Sequence, residues 1–159
     1  MSKAVLKAGL YFISIAAMAI GTAIALLGIN PVGQFFNTVI SIVYNSGPLT
    51  DLGTPNDDSE LRFYSVFFAA YGAILFQTTR NLTKHGHRLT LLLGLFFLGG
   101  IARAISYVTV GQPHALFVLL MVIELAMPPL LYLCWLMTCL LYTSPSPRDA
   151  TLSRMPSSA

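Results

Sequence analysis

Two ionisable residues lie inside long apolar stretches of the sequence, and they are the residues best placed to do chemistry. Arg103 falls within the apolar run 89–110, and Glu124 falls within the run 115–137. A charged residue at the centre of a membrane helix costs about 2.5–3.5 kcal/mol on insertion scales and therefore persists where it is paired or hydrated. The short connection 111–114 makes the two runs antiparallel neighbours, which predicts an ion pair between Arg103 and Glu124.

Two consecutive prolines follow Glu124 by one helical turn. Pro128 and Pro129 remove the N–H groups that would bond the carbonyls of Glu124 and Leu125. In lipid these carbonyls need other donors, which the Arg103 guanidinium, a nearby hydroxyl or a trapped water can supply. The sequence therefore predicts a polar pocket in the outer half of the membrane, lined by Arg103, Ser106, Glu124, Tyr64 and Tyr107.

A second pair of charged residues, Glu60 and Arg62, lies at the outer mouth of another apolar run, 61–77. The two are two positions apart and so lie on different faces of a helix. We expect Glu60 to complement Arg103 and Arg62 to stay near the lipid head groups. A buried ion pair can also serve only to orient two helices, and the sequence leaves this alternative open beside a binding site.

Other chemistries find little support in the sequence. There is no Ser/His/Asp order, HExxH motif or phosphate-binding glycine loop. His85 and His87 lack a third ligand nearby, so we expect neither a metal site nor a cofactor. Cys134 and Cys139 lie in one apolar stretch, which favours packing over a disulfide. The basic residues are spread between apolar runs and form no basic stripe, so a nucleic-acid partner is not expected.

The elements that must position these residues are membrane spans. The chain of 159 residues is 55% hydrophobic and only 9% charged, far more apolar than a soluble protein. A helix needs roughly 20 apolar residues to cross a bilayer. We predict an all-α membrane protein, a four-transmembrane-helix bundle within residues 1–138, with spans at 8–29, 61–77, 89–110 and 115–137. The first run is too long for a typical signal peptide, so its retention as a span is expected.

Between the first two spans, residues 32–44 carry apolar side chains at helical spacing but are too few to cross a membrane. We expect a short interfacial helix on the outer leaflet, where anchoring is favoured over a lid above a cavity.

The distribution of basic residues sets the orientation. Lys3 and Lys7 precede the first span, and Arg80, Lys84 and Arg88 lie in the loop that alternation puts on the same side. By the positive-inside rule, both termini face the cytoplasm of a multi-pass protein in the cell inner (plasma) membrane.

Small residues recur at four-residue spacing in three of the spans, where they allow close helix packing. They include Ala17, Gly21 and Ala25 in the first span, Ser65, Ala69 and Gly72 in the second, and Gly100 and Ala104 in the third. Packing within the bundle is the simpler interpretation, and a homo-oligomer remains open.

The last residues, 139–159, lose this pattern and become rich in Ser, Pro and Arg. We expect a disordered tail. The sequence CLLYTSPSPRDATLSRMPSSA also resembles a translated sequencing-adapter tail, and we expect it to be an artefact rather than the native C-terminus.

Two segments carry a resemblance to a known family: DSELRFYSVFFAAYGAILF from Asp58 and LGGIARAISYVTVGQPHALFVLLMVIELAMPP from Leu98. Over residues 8–137 the chain resembles the bacterial integral membrane family known as domain of unknown function four-three-four-five. The most specific elements are Glu60 with Arg62, Gly99-Gly100 with Arg103, Gly111 with Pro113-His114, and Glu124 with Pro128. The resemblance implies a compact four-helix membrane protein and no particular reaction.

The function that these residues favour is non-enzymatic. We expect a polar site in the outer half of the bundle that binds a small molecule, a lipid head group or a partner helix, with the bilayer itself as the constant partner. One alternative is a membrane enzyme or redox accessory that uses Glu124 as an acid or base. Another is a small proton-coupled carrier that uses Glu124 as its proton site, although no inverted repeat is recognisable.

Overall fold

A computed structural model describes residues 3–44, 47–50 and 52–143, with side chains up to Thr138, and this part of the chain is all-helical. Five helices follow one another: α1 Lys3–Leu27, α2 Ile29–Ser41, α3 Pro55–Arg80, α4 Gly86–Thr109 and α5 Ala115–Thr143. The predicted fold class is confirmed at this level, since the described residues contain helices and no strand.

Three of these helices are long and apolar enough to cross a membrane: α1, α4 and the segment Ala115–Thr138 of α5. The predicted span 61–77 lies inside α3, which is 26 residues long. The first turns of α3 carry Asp57, Asp58, Glu60 and Arg62, so a large part of the helix is too polar to count as a span on composition. The sequence thus predicted all four long helices, and three of them have the composition of a span.

Helices α1 and α2 are separated by a single residue, Gly28, whose φ of 85° is one that residues with a side chain rarely adopt. The short helix begins at Ile29, three residues before the predicted start at 32, and ends at Ser41. Its buried residues include Val32 and Asn37, whereas Phe35 is exposed. The apolar face predicted for this helix is therefore only partly the face that packs on the protein.

The buried apolar side chains gather at the end of the bundle where α1 begins and α3 ends. We call this cluster the leucine core; it consists of Leu6, Leu10, Ile13, Leu75, Leu82, Leu89, Leu92, Leu93, Leu131 and Cys134. Two threonines buried beside it, Thr78 and Thr79, donate to carbonyls of their own helix at 2.8 Å each. The hydroxyl groups of both threonines are therefore satisfied within α3.

Small residues bring α1 and α3 into backbone contact. A Cβ on Gly21 would lie 2.6 Å from the backbone nitrogen of Ala69, and a Cβ on Gly72 would lie 2.6 Å from the carbonyl oxygen of Ser14. Nothing larger than glycine fits at either position without moving a helix. The predicted role of these residues in packing within the bundle is confirmed.

At the other end of the chain, α5 continues to Thr143, five residues past the predicted end of the domain at 138. The remainder of the predicted tail, residues 144–159, lies outside the described residues.

Candidate functional site

The hairpin of α4 and α5 brings the two charged residues of the apolar runs together. The Nε atom of Arg103 donates to Oε2 of Glu124 at 2.8 Å. The contact predicted from the sequence is present because the connection between the helices is short and sets Arg103 about 9 Å and Glu124 about 14 Å from their helix ends at 1.5 Å per residue. The pair joins neighbouring helices rather than turns of one helix.

Glu124 is the more buried member of this pair. Its side chain is 11% exposed, whereas that of Arg103 is 40% exposed. The glycine that faces it on α4 explains the close packing, because a Cβ on Gly100 would lie 3.0 Å from the Cβ of Glu124. Gly99 leaves more room, since a Cβ there would lie 3.8 Å from Oε2 of Glu124 and would meet no closer atom. One glycine thus packs the pair and the other leaves space beside it.

That space is part of a cavity of about 990 Å³ between α1, α3, α4 and α5. Its size is at the upper end of the range that small-molecule sites occupy. Most of its lining is apolar or aromatic, with charged groups confined to four side chains. The charged lining residues are Asp57, Glu60, Arg103 and Glu124.

The structure distributes the other predicted site residues unevenly. Glu60 lines the cavity with Arg103 but forms no ion pair with it within the described part of the chain. Tyr64 also lines the cavity, as predicted. Ser106 and Tyr107 do not: both are exposed, and the lining contributed by α4 ends at Arg103, one turn earlier. Hydropathy places a residue at a depth but does not fix the rotation of its helix.

Arg62 has a different role from the expected position near the head groups. Its Nε atom donates to Oδ2 of Asp58 at 2.7 Å, and Nη1 donates to the carbonyls of Ala25 and Leu26 at 3.1 Å each. These carbonyls are among the unpaired groups at the end of α1. Oδ1 of Asp58 in turn accepts from the backbone N–H of Ile29 at 3.3 Å. We call this set of contacts the Arg62 clasp.

The clasp has an electrostatic consequence for Asp58. The hydrogen bond from Arg62 lowers the pKa of this carboxyl below its usual value of 3.8. Arg62 is thus occupied by the junction of α1, α2 and α3, and it is not available to the cavity.

The prolines Pro128 and Pro129 lie inside α5, and the helix continues through them. Arg103 donates to the carboxylate of Glu124 and not to the carbonyls that the prolines leave unpaired. Of the three donors that the sequence suggested for these carbonyls, the Arg103 guanidinium forms no hydrogen bond with them in the described part of the chain.

The sequence predicted Tyr64 in the pocket but missed the rest of an aromatic wall on α3, formed by Phe67, Phe68 and Tyr71. Tyr64, Phe67, Phe68 and Tyr71 follow one another at helical spacing and all line the cavity. The hydroxyl of Tyr71 donates to the carbonyl of Leu92 at 3.1 Å, which ties α3 to α4 below the cavity. The spacing of these residues is the signal that the sequence offers, but the same spacing is equally typical of a membrane span.

The charged groups of the cavity are few and of two kinds, carboxylates and a guanidinium. Within the residues that the structure describes, no three His, Cys, Asp or Glu side chains come together in a way that could hold a metal ion. What the cavity offers is a guanidinium, three carboxylates and a large apolar surface. This arrangement suits a ligand with both a charged and an apolar part.

Comparisons with known proteins give a family and no activity. The model of a family described as "Domain of unknown function (DUF4345)" matches residues 5–135. No curated protein and no solved structure matches the chain. The family predicted from the sequence is confirmed.

Proposed function

The chain belongs to the DUF4345 family, and we propose that it is a four-span membrane protein whose cavity binds an amphiphilic small molecule or lipid at Arg103 and Glu124. The fourth span, the orientation in the membrane and the binding site each have their own support.

The surface of α3 supports a fourth span. Phe63, Val66 and Phe67 are each more than half exposed and lie in the segment 61–77. A row of large apolar side chains in contact with water is unfavourable, whereas lipid accommodates it. With 26 residues, α3 is about 39 Å long at 1.5 Å per residue, and it packs along α1, which is itself able to span.

With four spans, both chain ends fall on one side of the membrane. Lys3, Lys7, Arg80, Lys84 and Arg88 then share that side, which the positive-inside rule makes cytoplasmic. The bacterial inner membrane is the setting we propose, and the cavity then opens in the outer half of the bilayer.

The observation that carries the binding proposal is the position of the ion pair in the cavity wall. A pair that only fixed two helices would be best sealed between them, because water and mobile ligands weaken it. Here Gly100 packs closely on Glu124 while the guanidinium of Arg103 faces open space. Within the described residues, Arg103 uses only Nε in a hydrogen bond, so its two Nη groups are left to a ligand or to water.

Native mass spectrometry of the protein released from membranes tests this function. We expect a co-purifying amphiphile on the wild-type chain and its loss on Glu124→Gln, which removes the charge that holds the guanidinium in place. Asp58→Asn is the matched control, since it neutralises the carboxylate of the other arginine pair, which does not line the cavity. A wild-type protein with no bound species, or equal loss in both variants at equal thermal stability, would contradict the proposal.

A further inference from the structure

The mouth of the cavity carries negative charge. Asp57 and Glu60 lie in the first two turns of α3 and line the cavity there. Oδ2 of Asp57 is engaged by the N-terminal cap of the helix, where the Thr54 backbone N–H donates to it at 3.0 Å. Glu60 is exposed and forms no hydrogen bond or ion pair with any other described residue. A positively charged group entering the cavity therefore meets a carboxylate that has no competing partner.

The positively charged group of the cavity is the guanidinium of Arg103, and it lies deeper in the bundle than Glu60. Arg103 is six residues from the end of α4, or about 9 Å below that end at 1.5 Å per residue. Glu124 balances the charge of Arg103 and accepts a hydrogen bond from its Nε–H group. The Nη groups of Arg103 form no hydrogen bond with any other described residue. Guanidinium N–H groups bind phosphate and carboxylate oxygens in parallel pairs. The middle of the cavity is therefore suited to an anionic group.

Below the charged level the lining is apolar. Phe68 and Tyr71 of α3 line this part of the cavity together with Leu95 and Phe96 of α4. The rings of Tyr71 and Phe96 are stacked, with centroids 5.9 Å apart and an angle of 14° between the planes. An alkyl chain fits such a wall, and a hydrated ligand does not.

The charges that line the cavity favour a ligand that carries both a cationic and an anionic group. Three carboxylates face one guanidinium, so a purely anionic ligand would be repelled at the mouth. A purely cationic ligand would leave the Nη groups of Arg103 without an acceptor. The order of charges from the mouth inward matches a ligand with a cationic group outermost, an anionic group next and an apolar part deepest.

Access to the cavity is from the side as well as from the mouth. Tyr64 and Phe67 line it and are nevertheless 60% and 59% exposed. Because they lie within the segment that we propose to span the bilayer, the gap beside them opens toward lipid. A molecule dissolved in the membrane can enter without crossing water.

Resting on the proposed function, we infer that the ligand is a zwitterionic phospholipid: its phosphate lies at the Nη groups of Arg103, its ammonium group lies at Glu60, and an acyl chain lies along Phe68, Tyr71 and Phe96. The aromatic ring of Tyr64 beside the mouth adds a favourable surface for the ammonium group.

The test compares two phospholipids that share the phosphate and differ in the head-group alcohol, which carries an ammonium group in one lipid and two hydroxyl groups in the other. The full chain is titrated in detergent with phosphatidylethanolamine and with phosphatidylglycerol of identical acyl chains, and bound lipid is counted by native mass spectrometry. We expect the wild-type protein to prefer phosphatidylethanolamine by about threefold, the effect of one exposed ion pair. Glu60→Gln should bring the two lipids to equal affinity, because it removes both the attraction for ammonium and the repulsion of the net negative lipid.

A swapped variant, Ser59→Glu with Glu60→Ser, serves as the matched control. It keeps the composition and net charge of the helix but turns the carboxylate by about 100° around the axis. Ser59 does not line the cavity, so the preference should be lost as in Glu60→Gln. A preference that survives the swap would come from overall surface charge and would overturn the inference.

The phosphate contact needs a separate variant that still folds. Arg103→Gln with Glu124→Gln keeps a hydrogen-bonded pair while removing the guanidinium. We expect it to weaken binding of both phospholipids by about tenfold, the value of a hydrogen bond to a charged group. An unchanged affinity for both lipids in this folded variant would also overturn the inference.

The outcomes separate the inference from the function on which it rests. Lipid that binds without regard to head group would overturn the zwitterion assignment and leave an amphiphile site in place. Absence of any bound lipid or co-purifying amphiphile would overturn both. Soluble glycerophosphoethanolamine is titrated in parallel, and its competition at the affinity of the intact lipid would show that the site recognises a free head group and not a membrane lipid.

Discussion

At the end of the bundle where α1 begins, leucines from four helices fill the space between them, and the buried hydroxyls of Thr78 and Thr79 bond within their own helix. At the opposite end the same helices stand around a cavity of about 990 Å³ that contains an ion pair. The first end is closely packed, whereas the second end contains an open space between the helices. Stability and function are therefore expected to be lost by different substitutions.

The arginines Arg62 and Arg103 repeat this contrast on a smaller scale. Arg62 uses Nε and Nη1 in three hydrogen bonds to Asp58, Ala25 and Leu26, all of which hold chain segments together. Among the described residues, Arg103 has a partner for Nε alone. A guanidinium whose donors are taken by the protein is a structural part, whereas one with unused donors beside a cavity can take a ligand.

The largest effect is expected where α1 and α3 touch. Gly72→Ala would place a Cβ 2.6 Å from the carbonyl oxygen of Ser14, so the helices would have to separate, at a cost of about 3 kcal/mol of stability. Thermal unfolding in detergent measures this loss. Gly94→Ala, whose Cβ would meet nothing within 4 Å, is the control and should be neutral or slightly stabilising. Equal melting temperatures of the two variants would show that the α1–α3 contact is not as close as described.

The ion pair of the cavity comes next in size. Arg103→Ala leaves a carboxylate unpaired in a mostly buried site, and we expect a loss of about 2 kcal/mol, below the value for a fully buried pair because Arg103 is 40% exposed. Glu124→Ala should cost a similar amount, and the double variant should cost less than the sum of the two. A coupling energy of about 1 kcal/mol in this cycle measures the pair directly. Additive losses would mean that the two side chains do not interact in the membrane.

The contact between Arg103 and Glu124 also shows how far sequence reasoning reaches. A four-residue connection fixes the direction and register of two helices, so residues at similar depth can be paired from the sequence alone. The clasp could not be predicted in this way, because Arg62 bonds Leu26, 36 positions earlier, and that contact depends on where α1 ends. Gly28, which ends it, is one of several glycines in an apolar run and carries no distinguishing pattern.

The cavity escaped prediction for a related reason. Hydropathy gives the depth of a residue in the membrane but not the rotation of its helix, so the sequence predicts Ser106 in a pocket that it does not line. The same limit hides the wall formed by Phe68 and Tyr71, whose aromatic character suits lipid and cavity equally well. Fold and ion pair follow from periodicity and loop length, whereas an opening between helices follows only from their relative rotation.

The clasp predicts that the stability of the protein depends on pH. Arg62 lowers the folded-state pKa of Asp58 below 3.8, so the unfolded chain binds this proton first as the pH falls. The stabilisation is thus present at neutral pH and is lost as the pH falls below about 4 and through the folded-state value. Wild type should melt above Asp58→Asn at pH 7, and the difference should narrow as the pH falls below about 4. A difference in melting temperature that stays constant as the pH falls through the folded-state pKa would contradict the assignment.

The smallest effect on stability is expected at Gly99, and it separates the two ends of the bundle most clearly. A Cβ at this position meets only Oε2 of Glu124 at 3.8 Å. Gly99→Leu therefore places a side chain inside the cavity and reduces its free volume without contacting the leucine core. Leucine is also a better helix former than glycine by up to about 1 kcal/mol, so the melting temperature should stay level or rise slightly. Bound amphiphile counted by native mass spectrometry should nevertheless fall, because the side chain occupies space beside the guanidinium of Arg103. The glycine at position 99 then serves to leave space in the cavity beside Arg103. The glycine at position 72 instead permits the close contact between α1 and α3. Lower stability together with undiminished binding would reverse this assignment and place Gly99 among the packing residues.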